Sequence, residues 1–280
     1  PGVIGPTIAT EVEAVASWHW VFLGLLPIVA VAAAIAVPAL GRIPRGQATG
    51  PPDAAADRDR LVQVGLLVGG VGLVLAGTTA GNPAVAVPFV VGGGLAAVRA
   101  FRRVAPAGTL RLREGLPAIV AVRGILTFAF FGADAYISLA VTEGRGGSTR
   151  LAGVALTATA LLWATGSWIQ QRIVADVGPR RLDRIGFSLV ATGCAGMVVT
   201  ALAWPAWAAI GVWSVAGLGM GLAHAPLSLS ALGTAEPGRE GWASASLQLC
   251  DVLGVSLGTG LGGSLIALAD TRGWDPPAGV

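Results

Sequence analysis

The sequence predicts an all-α polytopic transmembrane helical bundle, with about eight complete membrane helices following a partial one. Three observations carry this. Only 12% of the 280 residues are charged, and 54% are hydrophobic. A soluble domain carries roughly 25% charged residues, so this chain cannot cover a globular surface with charge, and much of that surface must face lipid. The mean hydropathy is +0.74, concentrated in segments close to the roughly 20 residues that a bilayer core requires of a helix. The third observation is the placement of the arginines, which collect on every second loop.

Taken in order, the apolar segments are 19–40, 61–80, 84–100, 117–141, 151–171, 185–203, 206–232 and 242–269. Spans this apolar must be helical, because lipid offers an open backbone no hydrogen-bond partner. The segment 84–100 is short and interrupted by Pro88 and Gly92-Gly93-Gly94, both tolerated in membrane helices. The stretch Arg42 to Arg60 carries Pro44, Gly46, Gly50, Pro51 and Pro52 and reads as a linker between helical bundles. The tail from Arg272 to Val280, with Pro276 and Pro277, reads as exposed coil. The chain opens at Pro1 inside what reads as the end of a helix, as a fragment would.

The loops carry the orientation. Arg42, Arg45, Arg58 and Arg60 follow the first span, and Gly81-Asn82-Pro83 follows the second without charge. Arg99, Arg102, Arg103, Arg111 and Arg113 come next, then a sparser loop with Glu143, Arg145 and Arg150. Arg172, Arg180, Arg181 and Arg184 are followed by the uncharged Trp204-Pro205, and then by Glu236, Arg239 and Glu240. The arginine-rich side is expected to be cytoplasmic. Every basic side chain is Arg, and the net charge is +3. This basic balance reads as membrane topology rather than as a nucleic-acid surface.

Several chemistries are excluded. Cys194 and Cys250 both lie inside apolar segments, which speaks against a disulfide framework or a zinc site. His19 and His224 have no metal-ligand spacing. No phosphate-binding loop is present, nor a lysine to complete one. No Ser-His-Asp or His-Glu-x-x-His constellation appears. The chain therefore does not read as an enzyme, and no cofactor or metal is expected.

Charges inside spans are costly, about 2.5–3.5 kcal/mol each on insertion scales, which makes each a functional candidate. Asp134 lies in Phe130-Phe131-Gly132-Ala133-Asp134-Ala135-Tyr136, toward the outer end of its span. It is the first candidate for a carboxylate that meets protons or substrate along a water-filled path, with Tyr136 beside it; a packing role is the alternative. Asp251, in Gln248-Leu249-Cys250-Asp251, is the second candidate. Arg123 shares a span with Asp134 and is expected to snorkel to the cytoplasmic interface. His224 reads as a packing histidine in preference to a proton relay. Gln170 and Gln171 are expected at the interface, and Trp163 and Trp168 in an aromatic belt or, alternatively, as a platform for a cationic ligand. Gly254, Gly258 and Gly262 share a helix face, as do Gly217 and Gly221. That spacing points to close helix packing, with glycine-rich composition as the alternative.

Four places in the chain resemble the major facilitator superfamily, and in particular its fourteen-helix drug–proton antiporter branch. Ser17-Trp18-His19-Trp20-Val21-Phe22 with Pro27 is similar to the W-R-W-x-F…P entry to the family's sixth helix, with His19 in place of Arg. Gly5-Pro6 resembles the core of the antiporter motif that ends helix five, with Ala9 and Thr10 replacing its closing glycines. Arg172 to Arg181 is similar to the cytoplasmic G-R-L-x-D-R-x-G-R-R loop, matching at Arg172, Gly178 and Arg180, with Asp176 where that motif has Arg. The spans at 61–80 and 84–100 stand where the fourteen-helix branch has its extra pair.

The resemblance implies that residues 1–41 hold the helix-five remnant and helix six of a first bundle. Residues 42–60 would be a cytoplasmic linker, 61–116 the extra helix pair and its loop, and 117–270 a second bundle lacking its last helix. Residues 271–280 would form an exposed tail. Helices one to four and fourteen would lie outside the chain, so that the missing first-bundle helices of the same protein count among its partners. Further implied partners are a small-molecule substrate, protons and the lipid bilayer, with no nucleic acid. The implied function is proton-coupled export of small hydrophobic or cationic molecules across the plasma membrane by alternating access. An uncoupled metabolite facilitator and a non-transporting sensor or scaffold remain as alternatives.

Overall fold

A computed structural model describes residues 5–16, 18–40 and 54–271, and among them every element is helical. In chain order these are α1 (Gly5–Val15), α2 (Trp18–Leu23), α3 (Leu25–Leu40), α4 (Ala54–Thr79) and α5 (Pro83–Val104). A single 3₁₀ turn, Thr109–Arg111, leads into α6 (Leu116–Asp134) and the short α7 (Ile137–Thr142). Four long helices close the chain: α8 (Thr149–Val177), α9 (Pro179–Leu202), α10 (Ala208–Thr234) and α11 (Glu240–Thr271). Among the described residues, eight helical stretches are long and apolar enough to cross a membrane, from His19–Pro38 to Glu240–Ala269. At 1.5 Å per residue they match a hydrocarbon core of about 30 Å with some tilt.

Local chemistry sets the helix ends. The Asn82 side chain accepts from the Ala84 N–H at 2.9 Å and Pro83 occupies the first helical turn, so the uncharged Gly81-Asn82-Pro83 segment starts α5 sharply. Ser148 caps α8 by accepting from the Leu151 N–H. Gly178, at φ 81°, ends α8, and Pro179 opens α9 directly after it. The helix α4 begins at Ala54, inside the segment expected as linker, because Ala54-Ala55-Ala56 favour a helix over coil. Residue 41, residues 42–53 of that linker, residues 272–280 of the tail, and Ser17 lie outside the described residues.

The predicted span 117–141 is two helices. The chain leaves the α-helix after Asp134, where the Tyr136 N–H bonds the Ala133 carbonyl at 3.0 Å, and re-enters it at Ile137. The Ala135 N–H still bonds the Phe131 carbonyl at 3.2 Å, so the ladder tightens only at Tyr136, and Asp134 sits beside that break.

Packing follows the small residues. α10 lies against both α8 and α9, α6 pairs with α11, and α4 pairs with α5. α6 also touches α10, and α11 touches α4, which joins these pairs into one bundle. A Cβ on Gly258 would lie 2.9 Å from the Gly132 Cα, and one on Gly219 would lie 2.5 Å from the Gly186 carbonyl oxygen. Gly221 meets the backbone of Gly166 and Ser167 in the same way, and Gly262 lies under the Tyr136 ring. The glycine spacing therefore marks real backbone approach, the device by which membrane helices gain dispersion contacts without a hydrophobic drive.

The main core gathers Leu126, Phe130, Met197, Trp213, Met220 and Leu227 between α6, α9 and α10. Outward-facing side chains such as Leu161, Val198 and Leu229 are apolar and exposed, as a lipid-facing surface requires. None of the apolar window of α2 and α3 is buried against the described residues. α1 packs on α8, where Arg150 grips Glu11 through Nε at 2.6 Å and Nη2 at 2.8 Å. That pair is open to solvent and contributes little.

Gly258→Leu is expected to destabilise the bundle by about 1–3 kcal/mol, since the α6–α11 backbones cannot separate without losing their contacts. Gly211→Leu, where a Cβ meets nothing within 4 Å, is expected to leave stability unchanged. Thermal unfolding in detergent, followed by tryptophan fluorescence, separates the two. Equal melting of both variants would show that the glycine approach is not limiting.

Candidate functional site

Among the described residues, two clusters of polar side chains inside the spans are each centred on a residue of α6. The outer one is Asp134 at the end of that helix. Its Oδ1 accepts a hydrogen bond from the Trp213 indole N–H of α10 at 2.7 Å. Trp213 is wholly buried, so this bond lies in a low-dielectric setting and holds the carboxylate at the break in α6. Tyr136, two residues on, donates its hydroxyl to the Thr259 carbonyl of α11 and ties the break to that helix.

The inner group is built around Arg123, eleven residues earlier on α6 and thus about 16 Å away along the axis. Arg123 does not snorkel. Its side chain is buried, and its Nε and Nη2 grip the two Asp251 oxygens of α11 at 2.6 and 2.9 Å. Nη1 donates to the His224 carbonyl at 2.5 Å and reaches the Ser228 hydroxyl at 3.3 Å. Nη2 also meets His224 Nε2. As a guanidinium has only donors, Nε2 faces it as an acceptor and the imidazole proton falls on Nδ1. Snorkelling is the cheaper fate only for an arginine without a partner, whereas a bidentate carboxylate and a carbonyl satisfy the fork inside the bundle. Asp251 retains 18% of its side-chain exposure against 4% for Arg123, so the carboxylate is the accessible member of the pair.

An aromatic column joins the two groups. Phe130 stacks on Trp213 at 5.2 Å and meets Phe131 and Trp163 edge-on. Trp163 in turn lies 5.7 Å from the His224 ring. Trp163 is therefore a core residue of this column rather than part of a belt, and His224 touches both the column and the ion pair. Trp213 and Ser228 were not foreseen. A tryptophan inside an apolar span was the sole signal for the first, and a serine in an apolar span carries none. Gln170 is buried inside the bundle and Gln171 is exposed, so only the second fits an interfacial place.

The remaining sequence candidates lie apart from these groups. Arg172 stacks its guanidinium 3.4 Å from the Trp168 ring centroid at the end of α8. Arg172, Asp176 and Arg180 are exposed, and none joins an ion pair among the described residues. Gly178 provides the turn between α8 and α9. One turn into α9, Asp183 holds a buried carboxylate oxygen with no hydrogen-bond partner among the described residues. Gly5 and Pro6 open α1.

Arg123→Ala is expected to destabilise the protein by about 3–5 kcal/mol, because it strands Asp251 between helices. The double variant Arg123→Met with Asp251→Leu is expected to recover most of that loss, measured by thermal unfolding in detergent. A double variant as unstable as Arg123→Ala would show that the guanidinium acts through its other partners. Trp213→Phe keeps a ring against Phe130 and removes the indole donor. It is expected to cost about 1.5–3 kcal/mol in the same assay, a loss that Asp134→Leu on that background reverses if the stranded carboxylate is the cause.

The chain matches the Major Facilitator Superfamily over residues 2–267. Neither the curated proteins nor the solved structures contain a match to it. The match runs from α1 through nearly all of α11 and takes in Asp134, Arg123, His224 and Asp251 together with the helices that carry them. These lipid-facing helices with polar groups turned inward are thus those of a multi-pass membrane transporter, and the chain belongs to the major facilitator superfamily.

Proposed function

We propose that the protein is a secondary active transporter that exports small hydrophobic or cationic molecules in exchange for protons. Alternating access about a midplane site is the mechanism. The observation that carries this reading is Asp134, a carboxylate at a break in a membrane helix, held by one indole N–H beside an aromatic cluster. Broken helices and intramembrane carboxylates are where secondary transporters bind substrate and coupling ions. A carboxylate with a single fixed donor has lone pairs left to take a proton or a cation, and the neighbouring rings offer faces to an organic cation.

Asp251 is the second coupling candidate. Its proton and the Arg123 guanidinium compete for the same oxygens. Protonation would weaken the α6–α11 tie and leave Arg123 to the His224 carbonyl and Ser228. Such a tie has two discrete states, which is what a ligand-driven switch needs. Tyr136 would set the stiffness of the break. Arg172, Asp176, Gly178 and Arg180 would form the loop that alternates between conformations, on the cytoplasmic face of the plasma membrane together with the other arginine-rich loops. The hairpin α4–α5 supports placement in the fourteen-helix drug–proton antiporter branch, with the facing wall of the cavity supplied by further helices of the intact protein.

Asp134→Asn in the intact protein, assayed in everted vesicles energised by a pH gradient, tests the reading. Loss of gradient-driven transport of a cationic dye by 100-fold or more, with the protein still folded, is the expected result. Unchanged coupled transport would remove Asp134 from the role. Flux that ignores a collapsed gradient would make the protein an uncoupled facilitator, and dye binding without flux would make it a sensor or scaffold.

A further inference from the structure

We infer that the protein carries a binding site for one anionic phospholipid where the hairpin α4–α5 meets the α6–α11 pair. This rests on the membrane-spanning fold and not on the proposed transport. Two adjoining cavities define the site. One, of about 280 Å³, is lined by Arg102, Arg111 and Arg113 around the loop between α5 and α6. The other is an apolar groove of about 490 Å³ running down between the helices past Val71, Val98, Ile125, Leu253 and Leu257. They share Phe101, Thr109 and Leu110. The two cavities therefore adjoin at these three residues, which puts a headgroup in the first next to an acyl chain in the second.

The charge is uncompensated. Arg102, Arg111 and Arg113 are exposed, and none joins an ion pair among the described residues. Between Arg99 and Arg123 the sequence holds one acidic residue, Glu114. The last carbonyls of α5 would repel an anion by themselves, but three guanidiniums outweigh that partial charge. Arginine also suits phosphate, because its planar fork donates two parallel hydrogen bonds. Basic pockets between membrane helices at the interface are a recurring form of anionic-lipid site.

The loop is built as a fixed platform. Thr109 is buried, and its hydroxyl and N–H both bond the Pro106 carbonyl, at 2.6 and 3.1 Å. The Arg111 N–H bonds the Gly108 carbonyl at 2.9 Å, and the Arg113 stem lies across Gly108, whose φ of 96° brings the backbone under it. Leu110 and Leu112 alternate with the arginines and are more than half exposed. Exposed leucines between arginines fit the boundary of headgroup and acyl chain, where each kind of side chain meets its own solvent. The groove's nearly unbroken apolar lining fits an acyl chain better than a polar solute.

The test is a titration of the purified, delipidated full chain with dioleoyl phosphatidylglycerol, dioleoyl phosphatidylcholine or glycerol phosphate, read by native mass spectrometry. Phosphatidylglycerol is expected to bind tenfold or more tighter than phosphatidylcholine. The triple variant R102Q/R111Q/R113Q is expected to lose on the order of 100-fold in phosphatidylglycerol affinity. V98W, which fills the groove and leaves the arginines in place, is expected to lose several-fold. R145Q, in a different loop, is expected to change nothing. Equal affinity for the two lipids, or full affinity in the triple variant, would overturn the site. Glycerol phosphate binding as tightly as the diacyl lipid would make it a free-anion site, and an unaffected V98W would remove the acyl chain from the groove. An R145Q loss equal to that of the triple variant would reduce the effect to general surface charge. V98W and the lipid comparison still decide the matter should the triple variant fail to fold.

Discussion

The fold turns on the grip of Arg123 on Asp251. In hydrocarbon there is no water to solvate a guanidinium, so the charge must leave the membrane or find its partners inside the protein. Here it finds two carboxylate oxygens on α11 and a carbonyl and a hydroxyl on α10. One side chain thus holds three helices at a common height. The grip depends in turn on glycine. A Cβ on Gly254 would lie 2.5 Å from the Gly124 carbonyl oxygen, and these residues flank the ion pair on either helix. Bulkier residues would push α6 and α11 apart and move the carboxylate out of reach.

The same constraint governs Asp134, with a different solution. Among the described residues its carboxylate has one buried indole donor and no cation, at a point where the helix itself is interrupted. The inner group is closed and mutually satisfied, whereas the outer is only partly satisfied. Partial satisfaction in a buried setting is costly, and proteins retain it where the group must exchange partners. Between them, Trp213, Phe130 and Trp163 pack ring against ring, so the two groups share neighbours without sharing hydrogen bonds.

Much of the architecture was readable in advance because it rests on local properties. Span positions follow from length and hydropathy along a contiguous stretch, and the eight membrane helices fall where the apolar segments stand. The small-residue faces were readable for a related reason. Gly258 faces Gly132 because a glycine every fourth residue lines one side of a helix whatever lies opposite. Asp134 was readable as a candidate because a carboxylate in an apolar segment is exceptional on energetic grounds alone.

The fate of Arg123 was not. Whether an arginine snorkels or pairs depends on what faces it, and its partner lies 128 residues away on another helix. Trp163, assigned to a belt, became a core ring for the same reason, and His224 acquired a contact with Arg123 that no spacing announced. The break after Asp134 also escaped notice, since Ala135 and Tyr136 carry no proline or glycine to announce it. The sequence by itself determined that this is a bundle of membrane helices and which charges fall within its spans, because hydrophobicity acts residue by residue. Only the tertiary structure decided which buried charges are neutralised and which remain available, because that depends on distances between helices remote in sequence.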